Sequence, residues 1–259
     1  MGTFKNMPIN IYHCCVFKTG SQWMRAVLEH PFTRKASGME CYRYEDDLPG
    51  KADPRRIRER FFDAPFPKNK ILSPLFIDFE GFQSIPKPSD YRAFFVARDP
   101  RDIVVSWYFS ALYSHKANER MSATRKRLQD MSLEAGLIES IRVLNNTGTF
   151  GAILSWNNAS KKDPNTKVIS FENLTGARQL DEFRDLFEHC QIKMKEKDIK
   201  KLLADLSFKE LSGRHQGNED KNSHYRKGIS GDWKNYFKPE VNKKFSDLTG
   251  NLIIALGYQ

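Results

Sequence analysis

Ten consecutive residues near the end of the chain carry most of its chemistry: Arg226-Lys227-Gly228-Ile229-Ser230-Gly231-Asp232-Trp233-Lys234-Asn235. Two adjacent cations, two glycines and a tryptophan share one polar stretch. Glycine allows close backbone approach, and arginine grips a phosphate through two parallel hydrogen bonds. The implied chemistry is capture of a compact anion. Two further segments of this kind lie upstream. In Phe17-Lys18-Thr19-Gly20-Ser21-Gln22-Trp23 the lysine precedes the glycine. A Walker loop needs its lysine after the second glycine, so that nucleotide-kinase pattern is absent. In the stretch from Val96 to Ser106, Arg98 and Ser106 stand eight residues apart, within reach of one phosphate. Each segment also has a plain structural explanation: a polar β-to-α turn for the first, and arginine paired with Asp99 or Asp102 at a helix start for the second.

These segments need elements to hold them. Residues 9–17 form an apolar, β-compatible run that meets the Lys18 turn. Residues 22–30 then read as a helix with Trp23 and Val27 on its apolar side. Strand, glycine-bearing turn and helix is the layout of a phosphate-binding loop. Residues 41–44 read as a short strand, 70–77 as an apolar run broken by Pro74, 92–97 as a strong strand and 168–171 as another. Helices are expected from Asp102 onward, through much of 111–150, and over 150–159, 180–189 and 196–205, with one more from Val241. Residues 45–69, with Arg55, Arg56, Arg58 and Arg60, read as a partly helical surface segment. Residues 213–225 are polar without periodicity and read as mobile. Strands alternating with helices predict a single α/β domain over 1–259, with a mainly parallel sheet of about five strands flanked by helices.

Composition narrows the partners. The 259 residues carry a formal charge of +10, which favours an anionic ligand without choosing among nucleic acid, membrane and small phosphates. No apolar run spans a bilayer. The start of the chain lacks the layout of a secretory signal and the Ser/Thr needed for myristoylation. Cys14, Cys15, Cys41 and Cys190 form no disulfide framework or metal-ligand spacing, so free thiols in a reducing cytoplasm are expected. Basic residues are spread along the chain with no nucleic-acid motif.

In order and spacing, the three anion segments resemble those of the sulfotransferases that use 3′-phosphoadenosine 5′-phosphosulfate (PAPS), especially the cytosolic type. The last segment matches almost completely. The middle one matches at Arg98, Asp102 and Ser106. The first departs at Thr19, Ser21 and Gln22. The resemblance covers nearly the whole chain and implies a P-loop-like fold and roles by position. Lys18, Thr19, Gly20, Ser21 and Gln22 would wrap the 5′-phosphosulfate. Arg98, Ser106, Arg226, Lys227 and Gly228 would hold the 3′-phosphate. Trp23, Phe171, Ser207 and Phe208 would flank adenine; core packing also explains Trp23 and Phe208. Phe171 stands where the family often has tyrosine. The product would be PAP, with no metal needed.

Sulfuryl transfer by in-line attack places charge on the bridging oxygen of the leaving group. Lys18 is the cation expected to stabilise it. The acceptor must lose a proton, and the family's Lys-Thr-His segment is missing from Lys70-Ile71-Leu72-Ser73-Pro74. Glu40 and Asp78 are the candidate bases, Glu40 because carbohydrate sulfotransferases use a glutamate at a comparable place, and Asp78 because it follows the strand end. Surface charge explains either equally well. His115, His215 and His224 are further candidates from helix or loop. The expected acceptor is a small alcohol, phenol or amine, shaped by residues 43–69, 111–150 and 213–225. No nucleic acid or membrane partner is expected, and the family's C-terminal dimerisation segment is not present, leaving the oligomeric state open.

Overall fold

In the computed structural model, residues 10–115, 119–159 and 162–258 are described. The sequence readings at the N-terminus, including Ile9, lie outside them. Five parallel strands form one sheet: β1 (Asn10–Cys15), β2 (Glu40–Tyr42), β3 (Lys70–Phe76), β4 (Arg92–Ala97) and β5 (Thr166–Ser170). Their order is β2-β3-β1-β4-β5.

That order follows from alternation and twofold coverage. Along β4, Ala93 and Phe95 face one apolar core, while Phe94 and Val96 face another. Along β1, Tyr12 and Cys14 join the first core and Ile11 the second. Both faces are thus covered by helices, as parallel sheets require. The second core packs α1 (Ser21–Glu29), α9 (Gln179–His189) and α10 (Glu196–Asp205) through residues such as Val27, Phe183 and Leu202. The first core packs α4 (Pro100–Phe109), α6 (Leu133–Asn146), α7 (Thr149–Ala159) and α12 (Pro239–Thr249). The four cysteines are free thiols.

Several readings of the sequence are revised. Pro74 does not interrupt β3. Tyr12 pairs with Leu72 but Cys14 with Leu75, so β3 gains one residue there. This bulge takes the proline, which has no N–H to give the ladder. On the other side, pairing to β2 ends at Leu72, before the proline. The fifth strand starts at Thr166, and Phe171 instead opens α8 (Phe171–Thr175) because Ser170 caps it, accepting from the Asn173 N–H. The tail holds two helices, α12 and α13 (Leu252–Ala255), separated by Gly250 at φ 61°. Short helices α2 (Pro31–Ser37), α3 (Phe79–Ser84) and α11 (Phe208–Ser212) carry too few turns to show a period. A further helix, α5 (Glu119–Gln129), lies in the expected 111–150 stretch.

Strand order decides where the site lies. β1 has β3 on one side and β4 on the other, so connections leave its carboxyl end in opposite directions. A crevice opens at such a switch point. The residues after β1, β4 and β5 are Lys18, Arg98 and Phe171, and they fall side by side there.

Trp156 of α7 is fully buried, stacks on Phe95 at 5.1 Å, and donates from its indole to the Ile77 carbonyl at 3.0 Å. Replacing Trp156→Ala is expected to cost about 3–5 kcal/mol, read as a lower urea midpoint. An unchanged midpoint would contradict this account of the core.

Candidate active site

The site grows from the β1–α1 turn. Lys18 has φ 68°, a conformation that costs a non-glycine residue roughly 1–2 kcal/mol. Two bonds hold it: Thr19 Oγ1 donates to the Val16 carbonyl at 2.9 Å, and an Arg98 amine donates to the Lys18 carbonyl at 3.0 Å. Gly20, at φ 76°, is the N-cap of α1 and leaves the helix without a side-chain cap. Its first-turn N–H groups are therefore free for an external acceptor. A Cβ on Gly20 would lie 2.8 Å from the Phe171 ring, so only glycine lets these chains meet.

Arg98 joins the elements. Its guanidinium sits 4.4 Å over the Phe171 ring, donates to the Ile229 carbonyl at 3.4 Å and lies 3.9 Å from Asp102. Its Nε is buried with no partner among the described residues. Buried Asp102 accepts from the Gly231 N–H at 2.6 Å and the Trp233 N–H at 2.9 Å. Burial raises its carboxyl above the ordinary aspartate range, against the pull of Arg98 and these two donors. Asp102 thereby pins the C-terminal glycine loop to the start of α4. Trp233 completes the join beneath the Arg101 guanidinium, 3.5 Å from the ring centre.

Within that loop, Asp232 collects the cations. Arg226 bonds it at 2.5 Å and Lys227 at 2.6 Å, and Arg226 also pairs with Glu219. Burial opposes ionisation of Asp232, yet the bonds from Lys227, Arg226 and Asn235 hold its carboxyl below the usual range. Gly228, at φ 69°, packs under Phe208, and a Cβ there would overlap the ring. The 213–225 stretch is ordered around Arg214, which donates to the carbonyls of Asn218, Tyr225 and Arg226. Its fastening is one side chain clasping backbone, which has no sequence period.

A cavity of about 540 Å³ opens among these segments. Lys18, Gly20, Ser21, Gln22 and Trp23 line it, as do Arg98, Ser106, Phe171, Ser207, Phe208, Arg226, Lys227 and Gly228. Thr19 lies just beneath, bonded to Val16. Trp23 also packs, its indole donating to the Leu206 carbonyl at 3.0 Å and its ring meeting Phe183 edge-on at 5.6 Å. Burial pushes the Lys18 amine down to about 8, with Arg98 and then Arg226 adding to the effect. The site thus carries positive charge in excess of its own counterions.

Both expected bases fall away from this cavity. Glu40 opens β2, pairs with Arg34 and Lys70 at 3.1 Å each, and is exposed. It sits at the amino ends of the strands, while Lys18 sits at their carboxyl ends, roughly 20 Å away along β3 at 3.3 Å per residue. Strand direction, invisible in sequence spacing alone, corrects this assignment. Asp78 is at the correct end of the sheet but serves as the N-cap of α3, accepting from the Gly81 N–H at 2.8 Å, and does not line the cavity. Burial raises its carboxyl.

Other groups take the far side of the cavity. Arg43, Glu45, Asp53 and Arg60 line it. Arg60 is buried 3.6 Å from Glu45, and it bonds the Tyr44 hydroxyl at 3.1 Å. The 45–69 segment is mostly exposed and partly helical, as expected, but Arg60 turns inward, and three neighbouring arginines of like type mask it in the sequence. Residues from 111–150 and 213–225 also contribute, including His115, Met121, Val143 and His224. Among the described residues, no group of His, Cys, Asp and Glu is placed to hold a metal ion, and no helix is long and apolar enough to cross a membrane.

Comparison with known proteins agrees with this geometry. The model of the sulfotransferase domain matches residues 14–257. Flavonol 3-sulfotransferase of Flaveria bidentis is 22% identical, over 98% of this chain and 85% of its own length. Cytosolic sulfotransferase 10 of Arabidopsis thaliana is 24% identical, over 93% of this chain and 77% of its own. Mouse sulfotransferase SULT7A1 complexed with PAP has a TM-score of 0.58 at 18% identity, covering 95% of this chain and 84% of that one. Retinol dehydratase in a complex with retinol and PAP has a TM-score of 0.62 at 14% identity, covering 96% and 82%.

Two expectations follow. Asp102→Ala strands two buried backbone donors, a loss of about 2–4 kcal/mol; thermal unfolding by circular dichroism should show a clearly lower Tm, and an unmoved Tm would refute the anchoring role. Glu40→Gln should leave turnover within about twofold, since surface ion pairs contribute little; a large loss would return Glu40 to the chemistry.

Proposed function

Because this chain belongs to the sulfotransferase family, we propose that it moves the sulfuryl group of PAPS to a hydroxyl or amine of a small-molecule acceptor in the cytoplasm. The observation that carries this reading is the convergence of Lys18, Arg98 and Arg226 on one cavity at the uncapped start of α1. A nucleotide with charge at both ends fits that arrangement. The orphaned Nε of Arg98 and the lowered pKa of Lys18 both mark charge awaiting an anion.

The roles divide by position. The turn from Lys18 to Gln22 takes the 5′-phosphosulfate against the helix N-terminus. Arg98, Ser106, Arg226, Lys227 and Gly228 take the 3′-phosphate, which ADP lacks. Arg226 and Lys227 then exchange part of their bond to Asp232 for the ligand. Trp23, Phe171, Ser207 and Phe208 flank the base. The acceptor oxygen attacks sulfur in line, and the S–O bond to the phosphate breaks. Lys18 neutralises the charge that grows on the departing oxygen. The acceptor side is walled by Phe17, stacked on Phe76 at 4.8 Å, with Trp107, Met121 and Val143 nearby. These apolar and aromatic walls suit a phenol or an apolar alcohol, and a relative is named for action on flavonols.

PAP should bind at least tenfold more tightly than ADP by calorimetry; equal affinity would overturn the reading. Lys18→Met should lower kcat about 10²–10³-fold, as loss of one preorganised donor does, and turnover like the wild type would remove its role. In the free protein Lys18 loses its proton as pH rises through about 8. A bound anion favours the charged form, so PAP binding should take up a proton near pH 8–9. Calorimetry in buffers of different ionisation enthalpy measures that uptake, which Lys18→Met should abolish.

A further inference from the structure

We propose that His224, on the segment clasped by Arg214, is the general base that takes the proton from the acceptor hydroxyl. The inference rests on the sulfuryl-transfer reading above and supplies the group that reading lacks.

Elimination among the titratable groups lining the cavity leads there. Lys18, Arg98, Arg226 and Lys227 are cations on the donor side. Glu45 is bonded by Arg43 at 2.7 Å and lies 3.6 Å from Arg60. Asp53 is bonded by Arg55 at 2.8 Å and by the Tyr44 hydroxyl at 2.9 Å. Burial works against its ionisation, but these bonds hold its carboxyl below the usual range. A carboxylate held this way is a weak proton acceptor. Arg43 and Arg60 are cations, and burial raises the Tyr225 phenol, so two histidines remain, His115 and His224.

Position separates them. His224 shares the cavity with Lys18, the proposed leaving-group cation, and the Lys18 charge disfavours protonation of its ring. In-line transfer places the attacking oxygen on the far side of sulfur from that atom, within one small cavity. The backbone beside His224 is fixed: Arg214 donates to the Tyr225 carbonyl at 2.6 Å and to the Arg226 carbonyl at 3.0 Å, and Arg226 is tied to Asp232. The Tyr225 ring meets the imidazole edge-on at 5.5 Å. The His224 side chain lines the cavity and is half-shielded by the protein around it while keeping access to solvent, so a bound acceptor would meet it. Around it stand Lys18 from the β1–α1 turn, His115 from the stretch after α4, and Tyr225 on its own segment. The surrounding protein, then the charges of Lys18 and His115, push its pKa below the ordinary histidine value. The ring is consequently neutral, and so able to accept a proton, at pH 7.

The step balances without another reactant. The acceptor O–H proton passes to the free imidazole nitrogen as the O–S bond forms. The bridging S–O bond breaks, and its electron pair leaves on PAP. Imidazolium then returns the proton to solvent.

The test uses the full chain with PAPS and two phenols, 4-methylphenol and the more acidic 4-nitrophenol. His224→Gln should lower kcat/KM for 4-methylphenol by about 10²-fold, the usual worth of a positioned base. The loss for 4-nitrophenol should be much smaller, because that phenol ionises readily. Wild-type kcat/KM should rise with pH through a value below 6.5 and then level, since the neutral base is the active form. The variant should lose that limb while binding PAP like the wild type. Equal losses on both phenols, unchanged rates, or the same pattern from His115→Gln in place of His224→Gln would overturn the proposal. A wild-type protein that prefers PAP to ADP yet sulfates neither phenol overturns the base and spares the nucleotide reading. Absence of any preference for PAP overturns both.

Discussion

Like charges held at the end of a single sheet set the terms for the rest of this structure. Lys18, Arg98, Arg226 and Lys227 line one cavity, where burial and then the charges of Arg98 and Arg226 disfavour the charge on Lys18. Such a cluster persists only where the surrounding fold over-determines it. Asp102 and Asp232 do most of that work, and by different means. Asp232 ties Arg226 and Lys227 directly. Asp102 works through the backbone, holding Gly231 and Trp233 so that the loop cannot drift from α4. The counterions offset repulsion while leaving Lys18 with no ion pair among the described residues. The Lys18 amine is pushed down to about 8 by burial first and by Arg98 and Arg226 second, a cost that an anionic ligand would offset.

The strained backbone belongs to the same economy of parts. A lysine at positive φ is maintained by a bond from Arg98 to its carbonyl. The arginine expected to hold a phosphate therefore also shapes the turn that would hold the other one. One guanidinium thus joins the Lys18 turn to the C-terminal glycine loop. The cation–π contact of Arg98 with Phe171 extends the join to the start of α8. Neighbouring strands β1, β4 and β5 make these contacts unavoidable, since their carboxyl ends deliver all three residues to the same edge.

Much of the donor side was legible in the sequence because its signals are local. Glycines at forced turns, a cation beside them and a strand before them sit within ten residues of one another. Strand positions were legible from apolar runs for the same reason. What sequence hid was direction and partnership. Glu40 and Lys18 are 22 residues apart and belong to opposite ends of the sheet, which only strand order reveals. Asp78 carries the marks of an acid near a site, yet its carboxyl is occupied by the Gly81 N–H. Arg60 looks like its neighbours at 55, 56 and 58, and burial alone sets it apart. Pro74 read as a break because the compensating bulge lies in its pairing with another strand.

The acceptor side was the least legible, and the reason is architectural. Its walls come from three loop and helix segments that share no period and meet only in the folded chain. Arg60, Glu45 and Asp53 close one wall as an internally paired group, so their charges are largely spent on each other and present little net field to a ligand. Apolar rings such as Phe17 and Phe76 then dominate the surface left open. The sheet end fixes the cations through strand geometry, which tolerates little change. The loops around residues 43–69 and 213–225 fasten through separate contacts, the Arg60 cluster and the Arg214 clasp. Changes in those loops alter acceptor fit without disturbing Lys18 or Arg98. A proton acceptor at His224, as proposed, would ride on such a loop and shift as the walls change, whereas Lys18 is fixed at the end of β1.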